Sequence, residues 1–152
     1  MIQKVLIFLL INFGALGLGA LFTVKGVPSE WYINLNKAPW TPPGWVFGFV
    51  WTLIMVCFSF YMSYLWPEIE NKKILILLFS MNWILNVFWN PIFFYYKNIF
   101  LAMIIIVCLT LLVLYFTLIY WNISESKSIL IMPYLVWLII ASSLNGYILF
   151  KN

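Results

Sequence analysis

The stretch IFLAMIIIVCLTLLVLYFTLIYW, Ile99–Trp121, carries no charged residue and decides what kind of protein this is. At 1.5 Å per residue, a helix of this length covers the ~30 Å hydrocarbon core of a bilayer. Its apolar residues follow neither the two-residue alternation of a half-buried strand nor a one-sided helical stripe, so every face of the segment must meet apolar surroundings. Working outward, four more stretches of the same kind appear: about 5–24, 45–66, 74–96 and 129–150. Lipid offers no partner to backbone N–H and C=O groups, so the five spans are expected to be α-helices.

Composition agrees. Of 152 residues, 66% are hydrophobic and 8% charged, against about 25% charged in an ordinary soluble domain. A soluble core of this length has no room for so much apolar surface. The whole chain, 1–152, reads as a single transmembrane domain. The first span begins near Lys4, as a signal peptide does, but its apolar run exceeds the usual 7–15 residues of a signal core, and it is read as a retained first helix.

The breaks between spans are short and polar: Glu68 to Lys73, then Lys97-Asn98, then Asn122 to Ser128. Short connections force antiparallel neighbours and an up-and-down bundle. In the last break, Ser126 and Ser128 are candidate N-caps for the final helix. Lysines leave the orientation undecided: Lys4, Lys72, Lys73 and Lys127 fall on one side, Lys25, Lys37, Lys97 and Lys151 on the other.

The ionisable inventory excludes several functions. The chain has eight Lys, four Glu and no Arg, Asp or His. Without His the commonest metal ligand and neutral-pH general base are missing; no metal site, catalytic residue or haem cofactor is implied. Lys is too scattered for nucleic-acid binding, so membrane lipid is the partner of the basic balance. Cys57 and Cys108 lie in apolar stretches and read as packed core thiols. No ionisable residue sits mid-span to drive an ion-coupled carrier.

The connection Lys25–Gly44 is the exception in length. It holds Pro28, Pro39, Pro42 and Pro43 with Trp31, Tyr32 and Trp40, so it is expected to be stiff and extended. Its aromatics suit an interfacial anchor or a lid over a cavity, and composition leaves both open. Within the spans, Asn82, Asn86 and Asn90 recur every fourth residue and line one helix stripe. Buried amides need partners, so the stripe faces protein or a polar cavity. Tyr134, Trp137, Ala141 and Asn145 share a face of the last span. Trp51, with Phe47 and Met55 one turn to either side, occupies the second. If those two spans face each other, Trp51 and Trp137 flank room for a flat aromatic ligand, with Met55 adding a sulfur contact. In the first span, Ala15 and Gly19 form a small-xxx-small pair for close helix approach, within the protomer or across a dimer.

Trp31-Tyr32, Leu35-Asn-Lys-Ala-Pro39-Trp-Thr-Pro-Pro43, Trp45, Trp51, Leu85-Asn86, Pro91-Ile-Phe-Phe94, Pro133-Tyr-Leu-Val-Trp137 and Ala141-Ser-Ser-Leu-Asn145 together resemble the TspO/MBR family, which includes the tryptophan-rich sensory proteins of bacteria and the mitochondrial translocator protein. The likeness covers nearly the whole chain. It implies a five-helix bundle, often a homodimer, binding porphyrins such as protoporphyrin IX and isoquinoline or benzodiazepine-type ligands beneath the first loop. Matched residue by residue, the implied ligand site comprises Tyr32, Pro42, Trp51, Asn86, Trp137, Ala141 and Leu144, with Phe47, Met55, Trp89 and Asn90 around it. It also leaves open tetrapyrrole or sterol transport and a light-dependent porphyrin breakdown in which Trp51 and Trp137 would be the oxidisable groups. The C-terminal Leu144–Lys151 segment only loosely fits a cholesterol pattern, its Tyr147 falling one position late. The simplest location is a bacterial cell membrane.

Overall fold

The computed structural model describes residues 2–152, and the secondary-structure elements among them are all helical. Long helices are α1 (Ile2–Gly26), α3 (Gly44–Glu68), α4 (Lys72–Asn90), α5 (Ile99–Ser124) and α6 (Met132–Lys151). A short α2 (Glu30–Asn34) lies in the first loop. A π-helical turn, Pro91–Tyr95, extends α4, and a 3-10 segment, Glu125–Leu130, joins α5 to α6. Five helical segments are long and apolar enough to cross a membrane, as the sequence requires.

Burial is arranged for lipid rather than water. Leu10, Leu21, Phe49, Leu118 and Phe150 project outward at 62–86% exposure. The inner core is apolar as well. It is built from Ile54, Phe58, Tyr61, Met62 and Leu65 of α3, Ile106, Leu109, Val113 and Phe116 of α5, and Tyr134, Trp137 and Leu138 of α6. These recur every three or four residues, so each helix turns one stripe inward. Apolar matter on both sides leaves no solvophobic drive to gather the helices, so packing and interhelical hydrogen bonds must hold the bundle. Buried Asn12 of α1 donates to Ser59 Oγ of α3 at 2.8 Å. Trp83 of α4 donates to the Ile11 carbonyl at 3.0 Å, and Thr110 of α5 pairs with Ser142 of α6 at 3.1 Å.

Three sequence expectations are corrected. The first loop is not extended throughout: Ser29, accepting from the Tyr32 N–H, caps the five-residue α2. Neither Ser126 nor Ser128 caps α6. The chain tightens into the 3-10 segment first, the N-cap position falls to Ile131, and Ser128 is buried against the Ser124 hydroxyl at 2.6 Å. Cys108 is exposed on the outer surface and Cys57 only half-buried, because the all-apolar spans give their thiols no preference for the inside. Ala15 and Gly19, for which a partner helix within the protomer or across a dimer was open, are buried inside the protomer, where Gly19 lies against the Asn90 side chain of α4.

Candidate ligand site beneath the first loop

The first loop folds back over the bundle end where α1 finishes and α3 begins. Trp31 and Tyr32 of α2 stand against Phe93, with ring centroids 5.5 and 6.3 Å away, and Tyr32 also meets Phe94 at 5.5 Å. The π turn serves this contact by turning both Phe93 and Phe94 inward, where they are buried. Further along, the Asn36 N–H donates to Asn152 Oδ1 at 2.9 Å and its amide to the Lys151 carbonyl at 3.2 Å. Trp40 lies edge-on to Tyr147, 5.4 Å away, while its indole N–H donates to Ser143 Oγ at 3.2 Å. The loop is thus latched to α4 by aromatic contact and to α6 by hydrogen bonds. Burial pushes the Tyr32 hydroxyl above its ordinary pKa, and the Lys37 ammonium sits 4.7 Å from its ring centroid.

Beneath the loop, α3 and α6 do face each other. Phe47 meets Trp137 edge-on at 5.4 Å, and Trp51 meets Tyr134 edge-on at 6.0 Å. Each indole thus packs edge-on against a ring of the facing helix, and no contact joins Trp51 to Trp137 among the aromatic pairs of the described residues. Met55 is buried and Ala141 half-buried in the same cluster as Trp51 and Trp137, and Leu144 is buried further along α6. Tyr134 is the hub that sequence reasoning placed on the right face but did not single out. Its hydroxyl receives Asn86 Nδ2 at 3.0 Å and Asn82 Nδ2 at 3.2 Å, tying α4 to α6. Its spacing of three from Trp137 was the available signal.

The remaining expected residues divide between neighbouring clusters. Asn90 turns to α1, accepting from Thr23 Oγ1 at 2.9 Å, and acts as interhelical glue. Trp89 stacks on Phe93 at 4.9 Å and packs against both the central core and the cluster under α2, joining Tyr32's surroundings to those of Trp51. Pro42 is half-buried just ahead of α3. Among the described residues, four buried side-chain polar atoms lack a hydrogen-bond partner: Tyr61 Oη, Trp89 Nε1, Trp137 Nε1 and Asn145 Oδ1. Two of them are indole donors of expected site residues, and a buried donor left unpaired costs about 1–3 kcal/mol. Among the described residues, no side-chain hydrogen bond joins α3 to α6, whereas α1–α3, α1–α4, α4–α6 and α5–α6 each have at least one.

An all-helical bundle with five membrane-crossing segments and a Trp/Pro-rich loop latched over one end defines a multi-pass membrane protein with an aromatic interior seam. The chain belongs to the TspO/MBR family, whose model matches residues 6–151. It is similar to the tryptophan-rich protein TspO of Chlorobaculum tepidum, 32% identical over 88% of this chain and 86% of the relative. It is also similar to the tryptophan-rich protein TspO of Archaeoglobus fulgidus, 30% identical over 100% of this chain and 96% of the relative. The translocator protein of Homo sapiens is 29% identical over 80% of this chain and 75% of the relative.

Proposed function

We propose that this protein is a membrane receptor or sensor that takes a flat tetrapyrrole of the protoporphyrin IX type into the α3–α6 seam beneath the first loop, and that isoquinoline or benzodiazepine-type ligands compete for the same place. The observation that carries this reading is the seam's construction: aromatic walls, a buried Trp137 indole N–H with no acceptor, and closure without a side-chain hydrogen bond. Such a seam parts at the expense of apolar contacts alone, and a planar apolar ring restores them. A ligand carbonyl or carboxylate supplies the acceptor that Trp137 lacks. The Tyr134 hydroxyl, held by Asn82 and Asn86, fixes the opposite wall while α3 moves. Release of the Trp40 and Asn36 latches opens the way in. Binding coupled to loop movement suits a sensor in a bacterial cell membrane, and a homodimer would pair through a surface other than the buried Ala15–Gly19 face.

Titrating detergent-solubilised protein with protoporphyrin IX and following tryptophan fluorescence tests this. Quenching is expected to saturate at one ligand per protomer, with Trp137→Leu weakening affinity about tenfold through lost aromatic contact and hydrogen bonding. Trp121→Leu, at an exposed position on α5, is the control and should bind like the parent. Non-saturating quenching, or equal affinity in all three proteins, would rule the reading out.

A further inference from the structure

At the end of the bundle away from the first loop, a cavity of about 330 Å³ is lined by Lys4 of α1, Ser63, Tyr64, Pro67 and Glu68 of α3, and Lys127 of the 3-10 segment. We infer that this cavity seats the phosphodiester of an anionic membrane phospholipid. Its occupant and its position in the molecule are distinct from those of the tetrapyrrole reading, and it stands without it.

Charge is the first argument. Two lysines and one glutamate line the cavity, a net positive lining that matches a singly charged phosphodiester. Lys72, at the start of α4, is engaged elsewhere: its ammonium donates to the Ile69 carbonyl at 2.7 Å and lies 5.5 Å from the Trp66 ring. Lys127 is exposed and lies 5.2 Å from the Tyr64 ring centroid, a contact that orients its ammonium without neutralising it. Ser63 does not compete as a donor, because its hydroxyl is given to the Ser59 carbonyl at 2.7 Å.

Depth is the second argument. α1 and α3 are each 25 residues long, or ~37 Å at 1.5 Å per residue, so their ends pass beyond a ~30 Å hydrocarbon core. Lys4 lies in the first turn of α1, and Tyr64 to Glu68 form the last turn of α3, which places the cavity at headgroup level with lipid-facing Leu6 and Ile7 below it. Backbone geometry is the third. Glu125 holds φ 46° and ψ −124°, a conformation that costs a non-glycine residue free energy. This turn ends α5 and starts the 3-10 segment that carries Lys127 over Tyr64.

Native mass spectrometry of the purified protein, titrated with phosphatidylglycerol, phosphatidylcholine or sn-glycerol 3-phosphate, tests the assignment. Phosphatidylglycerol is expected to bind several-fold more tightly than phosphatidylcholine, whose choline cation meets the two lysines. Lys4→Gln/Lys127→Gln should weaken phosphatidylglycerol about 30-fold, taking the usual contribution per Lys at an anionic surface. Lys25→Gln/Lys151→Gln, at the other end, should change it little. Glu68→Gln, on an exposed helix end, removes the only lining anion and should tighten binding about fivefold, a reading that does not depend on the double variant folding. Unchanged retention in Lys4→Gln/Lys127→Gln, or no tightening in Glu68→Gln, overturns the proposal. Displacement of the lipid by low-millimolar glycerol phosphate overturns the lipid as the source and leaves a soluble phosphate ester.

Discussion

A Cβ added to Gly19 would lie 2.5 Å from Asn90 Nδ2, at the place where Asn90 accepts from Thr23. Gly19→Ala must therefore push Asn90 aside and strain the α1–α4 seam, at a cost of about 1–3 kcal/mol. Gly17→Ala meets open space and replaces a helix-interior glycine, so it should leave stability unchanged or raise it slightly. Scanning fluorimetry in detergent separates them: Tm falls for the first and not for the second. Tyr134→Phe removes the oxygen shared by Asn82 and Asn86, and Asn82 is only 4% exposed. An expected loss of about 1–3 kcal/mol follows from the amide left unpaired, visible as a lower Tm with unchanged helicity. Tyr32 gives a pH prediction. Its hydroxyl pKa is raised by burial, so the protonated form is favoured in the folded loop. That contribution is complete below the ordinary tyrosine value of about 10 and disappears as pH rises through the higher folded value. A tyrosinate absorbance titration should lose a component above pH ~10 in Tyr32→Phe, and a lost component below that value would contradict the burial.

The elements were legible to different degrees, and the reason is physical. The five spans are written in apolar length, which bilayer thickness makes nearly unambiguous. The Asn82–Asn86–Asn90 stripe was readable because helix geometry brings fourth neighbours together, but its partners were not. Tyr134 and Thr23 lie on other helices, and nothing in spacing chooses between them. α2 was hidden because Pro28 and Pro39 dominate the loop's local preferences, although Ser29 just before Glu30 is an N-cap signal. The π turn and the 3-10 segment were also unreadable. Both arise where tertiary packing forces one more or one fewer residue per turn, to bury Phe93 and Phe94 or to bring Ser128 against Ser124. At this scale the first loop should behave as a latched element. Asn36→Ala removes the side-chain amide's bonds to the Lys151 carbonyl and Asn152 Oδ1 and leaves only the backbone links to Asn152. Amide hydrogen exchange in residues 35–43 should accelerate several-fold, while exchange in α3 and α6 stays at the parent rate.

Taken whole, the molecule is apolar outside and inside, and direction comes from a few polar links and from aromatic rings set edge-on. The links are unevenly shared. α1, α4, α5 and α6 are cross-tied by Asn, Ser, Thr and Tyr side chains, while α3 is tied to α1 through Asn12–Ser59 and, among the described residues, meets α6 through apolar and aromatic contacts without a side-chain hydrogen bond. Sequence patterning put Phe47 and Trp51 on one face of the second span and Trp137 on the last, and left open whether those spans face each other. It did not foresee that Trp137 would pack on Phe47 and Trp51 on Tyr134, since a rotamer choice across helices leaves no trace in periodicity. The central claim is that this seam opens to admit a planar ring. The most direct test is a structure determined with protoporphyrin IX bound. The account predicts the macrocycle between the α3 and α6 walls, Phe47 swung away from Trp137, and the Trp137 indole N–H donating to the ligand. A macrocycle lying on the lipid-facing surface, with the Phe47–Trp137 and Trp51–Tyr134 contacts intact, would contradict it.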